Sequence, residues 1–170
     1  RDRSVETSDF IGAIGESTGF NMKPFFDQWV FRGGYPSFRV QYGWDKASRK
    51  ASFWVLQTQD VSEDSPLFKV PVTLRFTGRG WQRDFKEKID SQEHRFTYKL
   101  PSEPLDAEFD PDHVLLKKLS VFKPLSMWLY QMRRSRSGMS RYYAASHVAR
   151  WGDGRSVVWL EQAVRQEQFW

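Results

Sequence analysis

The hydrophobic period of this chain changes twice. Phe25, Phe26, Trp29 and Val30 fall at helical spacing and make one apolar face. A few residues on, Phe38, Val40 and Tyr42 alternate with Arg39 and Gln41, the period of a half-buried strand. Gly33-Gly34 lies between them and is free to take φ > 0 and end the helix. Pro36 suits the first residue of a strand, because it cannot donate to a ladder. Upstream, the pattern predicts a helix over 8–17. Ser8 or Asp9 caps it, Phe10, Ile11 and Ile14 form its apolar face, and Gly19 stops it. Gly12 and Gly15 each weaken this helix by about 1 kcal/mol relative to Ala, so it needs a neighbour to lean on. Asn21 is placed to cap the second helix, with Pro24 in its first turn.

Downstream, alternation predicts strands over 36–44, 51–59, 67–77, 81–89, 94–100 and 105–109. The second carries bulky apolar groups on both faces, which points to a central position. In the third, Phe68, Val70, Val72, Leu74 and Phe76 share one face. Pro71 falls on the other, which predicts an edge or a bulge there. Six or seven short strands with regular turns read as a β-sandwich of roughly 80 residues. After Val121 the period returns to that of helices. Leu125, Trp128, Leu129 and Met132 belong to one. A second, capped by Ser140, holds Tyr143, Ala144, His147, Val148 and Trp151. A third, capped by Asp153, holds Val157, Leu160, Ala163 and Val164. Three short helices with brief loops read as the beginning of an α-solenoid. The expected fold is thus mixed α and β: an antiparallel β-sandwich flanked by N-terminal helices and the first helices of a solenoid.

Composition adds limits. Of 170 residues, 16% are aromatic, with 8 Trp, which is ample material for a core. The net charge of +5 is spread along the chain, so it argues little for nucleic acid as a partner. There is no Cys, which excludes disulfides and thiolate chemistry and assigns no compartment. No apolar run approaches the ~20 residues of a membrane-spanning helix. Arg1 stands where Met would begin a protein, and Phe169-Trp170 end an amphipathic stretch. We therefore expect a piece of a longer protein.

Three stretches carry a resemblance. Phe25-Phe26-Asp27-Gln28-Trp29-Val30, followed by Gly34-Tyr35-Pro36, is one. Gln59, followed by Pro66-Leu67-Phe68-Lys69-Val70-Pro71-Val72, is another. The third is Phe109-Asp110-Pro111 with Leu115-Leu116-Lys117. In this order they resemble the gluzincin zinc aminopeptidases, relatives of aminopeptidase N, in the region that follows the zinc-binding motif. The resemblance implies three parts. Residues 1–34 would be the helical end of a thermolysin-like catalytic domain, 35–121 a β-sandwich, and 122–170 the truncated start of a HEAT-like helical domain. It implies zinc and a peptide substrate for the parent protein, with this chain packing on the catalytic domain before it and the helical domain after it.

The family's chemistry needs H-E-x-x-H on a helix, where two His one turn apart bind zinc and the Glu works on the bound water. This chain has only His94, His113 and His147; none precedes a Glu, and no two lie four apart. No catalytic, cofactor-binding or metal-binding residue is carried over. Other candidates weigh less than their structural explanations. Glu93-His94 reads as an exposed strand start, since a metal needs convergent ligands. His147, one turn from Tyr143 and Trp151, reads as helix packing. Glu103, Asp106, Glu108, Asp110 and Asp112 could hold calcium but lack EF-hand spacing, so we expect a solvated loop. Arg133, Arg134 and Arg136, with Lys117, Lys118 and Lys123, could touch phosphate, yet read as solvated faces. Trp29, Trp44 and Trp54 could stack on sugars, yet core or junction packing explains them. Two functions follow: a non-catalytic segment of a zinc aminopeptidase, walling its substrate chamber, or a zinc-free scaffold of the same architecture, like the TATA-binding-protein-associated factor that resembles these peptidases. At this level the peptidase is preferred, because loss of the zinc site is the rarer condition in the family.

Overall fold

A computed structural model describes residues 4–62, 65–150 and 154–166. The chain divides into two compact units. One takes in the described residues up to Tyr35 together with those of 60–66. The other takes in Pro36–Gln59 and the described residues from Leu67 onward.

The first unit holds two helices, α1 (Thr7–Thr18) and α2 (Lys23–Trp29). Glu6, not Ser8 or Asp9, caps α1. Asp9 serves as the third helical residue and closes a reciprocal capping box by accepting from the Glu6 amide at 3.0 Å. Gly19 ends α1 in the left-handed region at φ 73°, as the spacing predicts. Met22, rather than Asn21, is the cap of α2, though the Asn21 side chain accepts from the Lys23 amide at 3.0 Å. Phe26 is the one buried residue of α2, and the rings of Phe10, Phe25 and Phe31 gather around it. Helix α2 stops at Trp29, before the glycines; the left-handed turn comes at Gly34, φ 81°.

The second unit contains seven strands in two sheets. They are β1 (Ser37–Asp45), β2 (Lys50–Gln57), β3 (Val70–Gly78), β4 (Trp81–Ile89), β5 (Glu93–Lys99), β6 (Asp106–Phe109) and β7 (Lys118–Phe122). One sheet has the order β5-β2-β1-β7 and the other β4-β3-β6. Alternation fixes the inner faces: Phe38, Val40, Phe53 and Val55 from one sheet, Val70, Val72, Leu74 and Phe76 from the other, all buried. Phe53 stacks on Phe76 at 5.1 Å and Phe38 meets Phe109 at 5.3 Å, so the sheets pack face to face. Gln57 is buried in this core with its amide satisfied. It donates to the carbonyls of Phe68 and Ser91, at 2.9 and 3.1 Å, and accepts from the Phe68 amide at 3.0 Å.

The sandwich departs from the sequence reading at β7 and at β3. Strand β7 pairs with β1 in parallel, so the sandwich is not wholly antiparallel. Its chain arrives from β6 in the opposite sheet, and a crossover of this kind delivers a parallel neighbour. Strand β3 lies in the middle of its sheet, but β6 reaches only Leu74–Thr77, so Pro71 sits where β3 has β4 alone beside it. Three helices follow: α3 (Leu125–Arg134), α4 (Gly138–Ala149) and α5 (Gly154–Gln166). Ser137 caps α4 by accepting from the Ser140 amide at 3.3 Å; Ser140, expected as the cap, is buried in the first turn. Trp128, Met132, Ala144 and Val148 form the core of these helices. The expected Asp153 cap, Trp151 and Phe169-Trp170 lie outside the described residues.

Candidate functional site

Strand β6 and the helices enclose a layer of buried charge. The register places Ala107 and Phe109 beside Phe76 and Leu74, facing the core. Asp106 and Glu108 therefore face away from it, beside Thr77 and Arg75. Helix α3 covers that outer face, and all four residues of β6 are buried. The expectation of a solvated acidic loop is thus overturned for Asp106, Glu108 and Asp110; Glu103 and Asp112 are exposed. A strand reading D-A-E-F looks half-solvated from its period, and only the packing of α3 removes the water.

Lysines from just downstream compensate Asp106 and Asp110. The Lys123 ammonium donates to Asp106 Oδ1 at 2.5 Å, the Ala107 carbonyl at 2.8 Å and Gln131 Oε1 at 2.5 Å, which uses all three of its protons. It also lies 4.5 Å from the centre of the Trp128 ring. Burial pushes Lys123 down and Asp106 up, and each is partly restored by the other's charge. Glu108 is also raised, first by burial and then by Asp106. Asp110 takes φ 51° and accepts from the amides of Val114 and Leu115, both at 3.1 Å, and from the Lys117 ammonium. These contacts fix the turn into β7. Arg75 forms a two-pronged pair with Asp84, at 2.8 and 2.7 Å, and reaches Asp112 at 3.5 Å.

Between β6–β7 and α3–α4 lies a cleft of about 520 Å³, lined by Glu108, His113, Trp128, Tyr143, His147 and Arg150 among others. His113 Nε2 is 3.0 Å from the Ser140 hydroxyl, and its ring stacks on Tyr143. His147 lies 4.1 Å from the Trp128 ring. Burial lowers both imidazoles from their ordinary value, favouring the neutral form. His94 is elsewhere, at the start of β5, where its Nε2 accepts from the amides of Asp90 and Ser91 at 3.1 Å. Among the described residues no three His, Cys, Asp or Glu are grouped to hold a metal. The residues here do not fit a zinc site: Asp106 and Asp110 are paired with lysines, and the three imidazoles do not converge.

The remaining candidates are also accounted for. Lys117 and Lys123 are consumed by Asp110 and Asp106. Arg133 approaches Gln162 at 3.4 Å. Trp54 is partly exposed on the outer face of β2 and donates to Glu93 at 2.7 Å, while Trp44 turns its indole nitrogen inward. Sequence reasoning missed that Lys123, Gln131 and Asp106 form one constellation. The usable signal was three polar residues set among apolar positions: Asp106 on β6, Lys123 between β7 and α3, and Gln131 on α3.

Two face-to-face sheets followed by a helical layer make a peptidase-like fold. The structure is similar to Legionella pneumophila aminopeptidase A, solved in complex with aspartic acid. The TM-score is 0.64 at 17% identity, over 84% of this chain and 16% of that one. By sequence it is similar to transcription initiation factor TFIID subunit 2 of Drosophila melanogaster, 24% identical over 195 aligned positions, 96% of this chain and 16% of that protein. No family model matches. The chain thus spans about 16% of the length of each of these proteins, and the structural likeness at that identity shows a peptidase-like fold alone.

Proposed function

We propose that this chain is a non-catalytic segment of a larger protein with aminopeptidase architecture, and that the larger protein is a scaffold of the kind named by the TFIID subunit rather than a working peptidase. The observation that carries this reading is the extent of the sequence match: it runs through 96% of the chain to a subunit of a transcription initiation factor. The chemistry of the cleft supports it, because Lys123 there is spent on holding β6 and α3 together. Exposed apolar residues support the larger protein: Phe10, Phe20, Phe25 and Phe31 in one unit and Val157, Val158 and Val164 on α5 would be covered by its other parts. In this role the sandwich and α3–α5 link the parts before and after them.

A second reading is favoured by the structural likeness to an aminopeptidase. There the segment would join a zinc-bearing catalytic domain to a helical domain of HEAT-like repeats that walls the chamber for a peptide substrate, with zinc held by residues outside this chain. The deciding experiment reads the coding sequence upstream of Arg1 and assays the whole purified parent on aminoacyl amides with added zinc. The scaffold reading expects no H-E-x-x-H, no turnover, and co-purification with a transcription initiation complex. An intact motif with zinc-dependent hydrolysis would replace it with the second reading. The 170-residue chain alone should be silent under both.

A further inference from the structure

Strand β7 pairs with β1 on one side, and among the described residues nothing pairs with its other edge. The Lys118 amide donates to the Pro36 carbonyl at 3.0 Å, so it faces β1. Peptide groups along a strand point alternately to its two edges. The amides of Leu119 and Val121 therefore face outward, and neither has a partner among the described residues. Short edges of this kind are templates for another strand.

The cleft described above meets this edge. Five consecutive residues, Leu119 to Lys123, line it. Side chains of successive strand residues point to opposite faces, so a cleft that reaches all five lies along the edge and not over one face. Helix α4 supplies another wall through Tyr142 and Tyr143, with Arg150 just past its end. Phe122 and Tyr142 are 55% and 65% exposed, leaving aromatic surface at the mouth. The volume lies within the range of ligand sites.

We propose that the outer edge of β7 and this cleft bind an extended peptide segment of a partner polypeptide. The segment adds to the sheet as a strand and sets an apolar or aromatic side chain against Tyr143. Free backbone groups at strand spacing beside aromatic walls are the recognition chemistry of strand addition. A nucleic acid is disfavoured because Lys117 and Lys123 are already neutralised by carboxylates. A second copy is disfavoured because its β7 would bring β1 behind it, into the space that α4 lines. The proposal holds for either parent considered above, so its failure leaves that choice untouched.

The test uses the full 170-residue chain, labelled with ¹⁵N, and a displayed library of random heptapeptides. A selected heptapeptide is synthesised plain and with backbone N-methylation at one alternate set of residues or the other. The plain peptide should slow exchange of the Leu119 and Val121 amides by about tenfold or more, a hydrogen bond's worth, while Lys118 and Ser120 are unchanged. One N-methylated set should bind about tenfold more weakly and the other like the plain peptide. Tyr143→Ala should weaken binding with sandwich exchange unaltered. Failure to select any binder, binding that leaves Leu119 and Val121 unprotected, or indifference to both methylation patterns would overturn the proposal. So would protection of these amides that rises with protein concentration in the absence of peptide, which would make a second copy the occupant.

Discussion

Lys123 owes its role to residues on both sides of it in the chain: Asp106, seventeen positions before, and Gln131, eight after. Breaking a buried pair on one side leaves a charge in a medium that cannot solvate it, and typically costs about 3–5 kcal/mol. Lys123→Met should therefore lower stability by about that much in urea denaturation, and Lys123→Met with Asp106→Leu should recover most of the loss. Glu108 makes a different prediction. The Ser135 hydroxyl donates to it at 3.4 Å and a hydrogen bond with Ser140 lowers it, but burial outweighs these and raises its carboxyl above the usual 4.5. The folded chain thus keeps this proton to higher pH than the unfolded chain. Glu108 does not oppose folding below 4.5 and does so increasingly as pH rises through its folded value. Glu108→Gln should raise the thermal midpoint at pH 8, with the gain closing as pH falls towards 4.5. A midpoint difference that is constant with pH would place the proton elsewhere.

Among the elements, β3 and β4 show how a turn can demand one residue. The ring of Trp81 lies over Gly78, where an added Cβ would come within 2.0 Å of it. Gly78→Ala should cost about 1–3 kcal/mol, as overpacking does, and Trp81→Ala in the same chain should relieve the clash. Phe76 is fully buried and stacks on Phe53 across the sheets, so Phe76→Ala should cost about 3–5 kcal/mol by the same measurement. Strands were readable where one face is core and the other water, because that contrast writes a period of two. β6 was readable as a short strand for that reason, but the fate of its polar face was not. Ser140 is the cap of α4 expected from the sequence, and Ser137 is the observed one. The choice went to Ser137 because Ser140 is drawn inward, where its carbonyl accepts from Gln131 at 2.8 Å.

At the scale of the whole molecule, protection should follow burial. Helix α1 has no buried residue, and Val157, Val158 and Val164 on α5 face solvent, whereas β2 and β3 carry the core. In the isolated chain, hydrogen exchange should be fast in α1 and α5 and slow in β2 and β3. Equal protection of α5 and β3 in a dilute monomer would mean that α5 is held by more than the contacts seen here. What the sequence determined by itself is the order of the helices and of the first six strands, the inward set of apolar residues, and the absence of an H-E-x-x-H motif. All of these are local, set by periodicity, turn residues and spacing. The tertiary structure alone decided that β7 returns parallel to β1, that Asp106, Glu108 and Asp110 lose their water, and that Lys117 and Lys123 meet carboxylates instead of solvent. Those outcomes depend on which surfaces cover which, and desolvation is a property of the covering element as much as of the residue it covers.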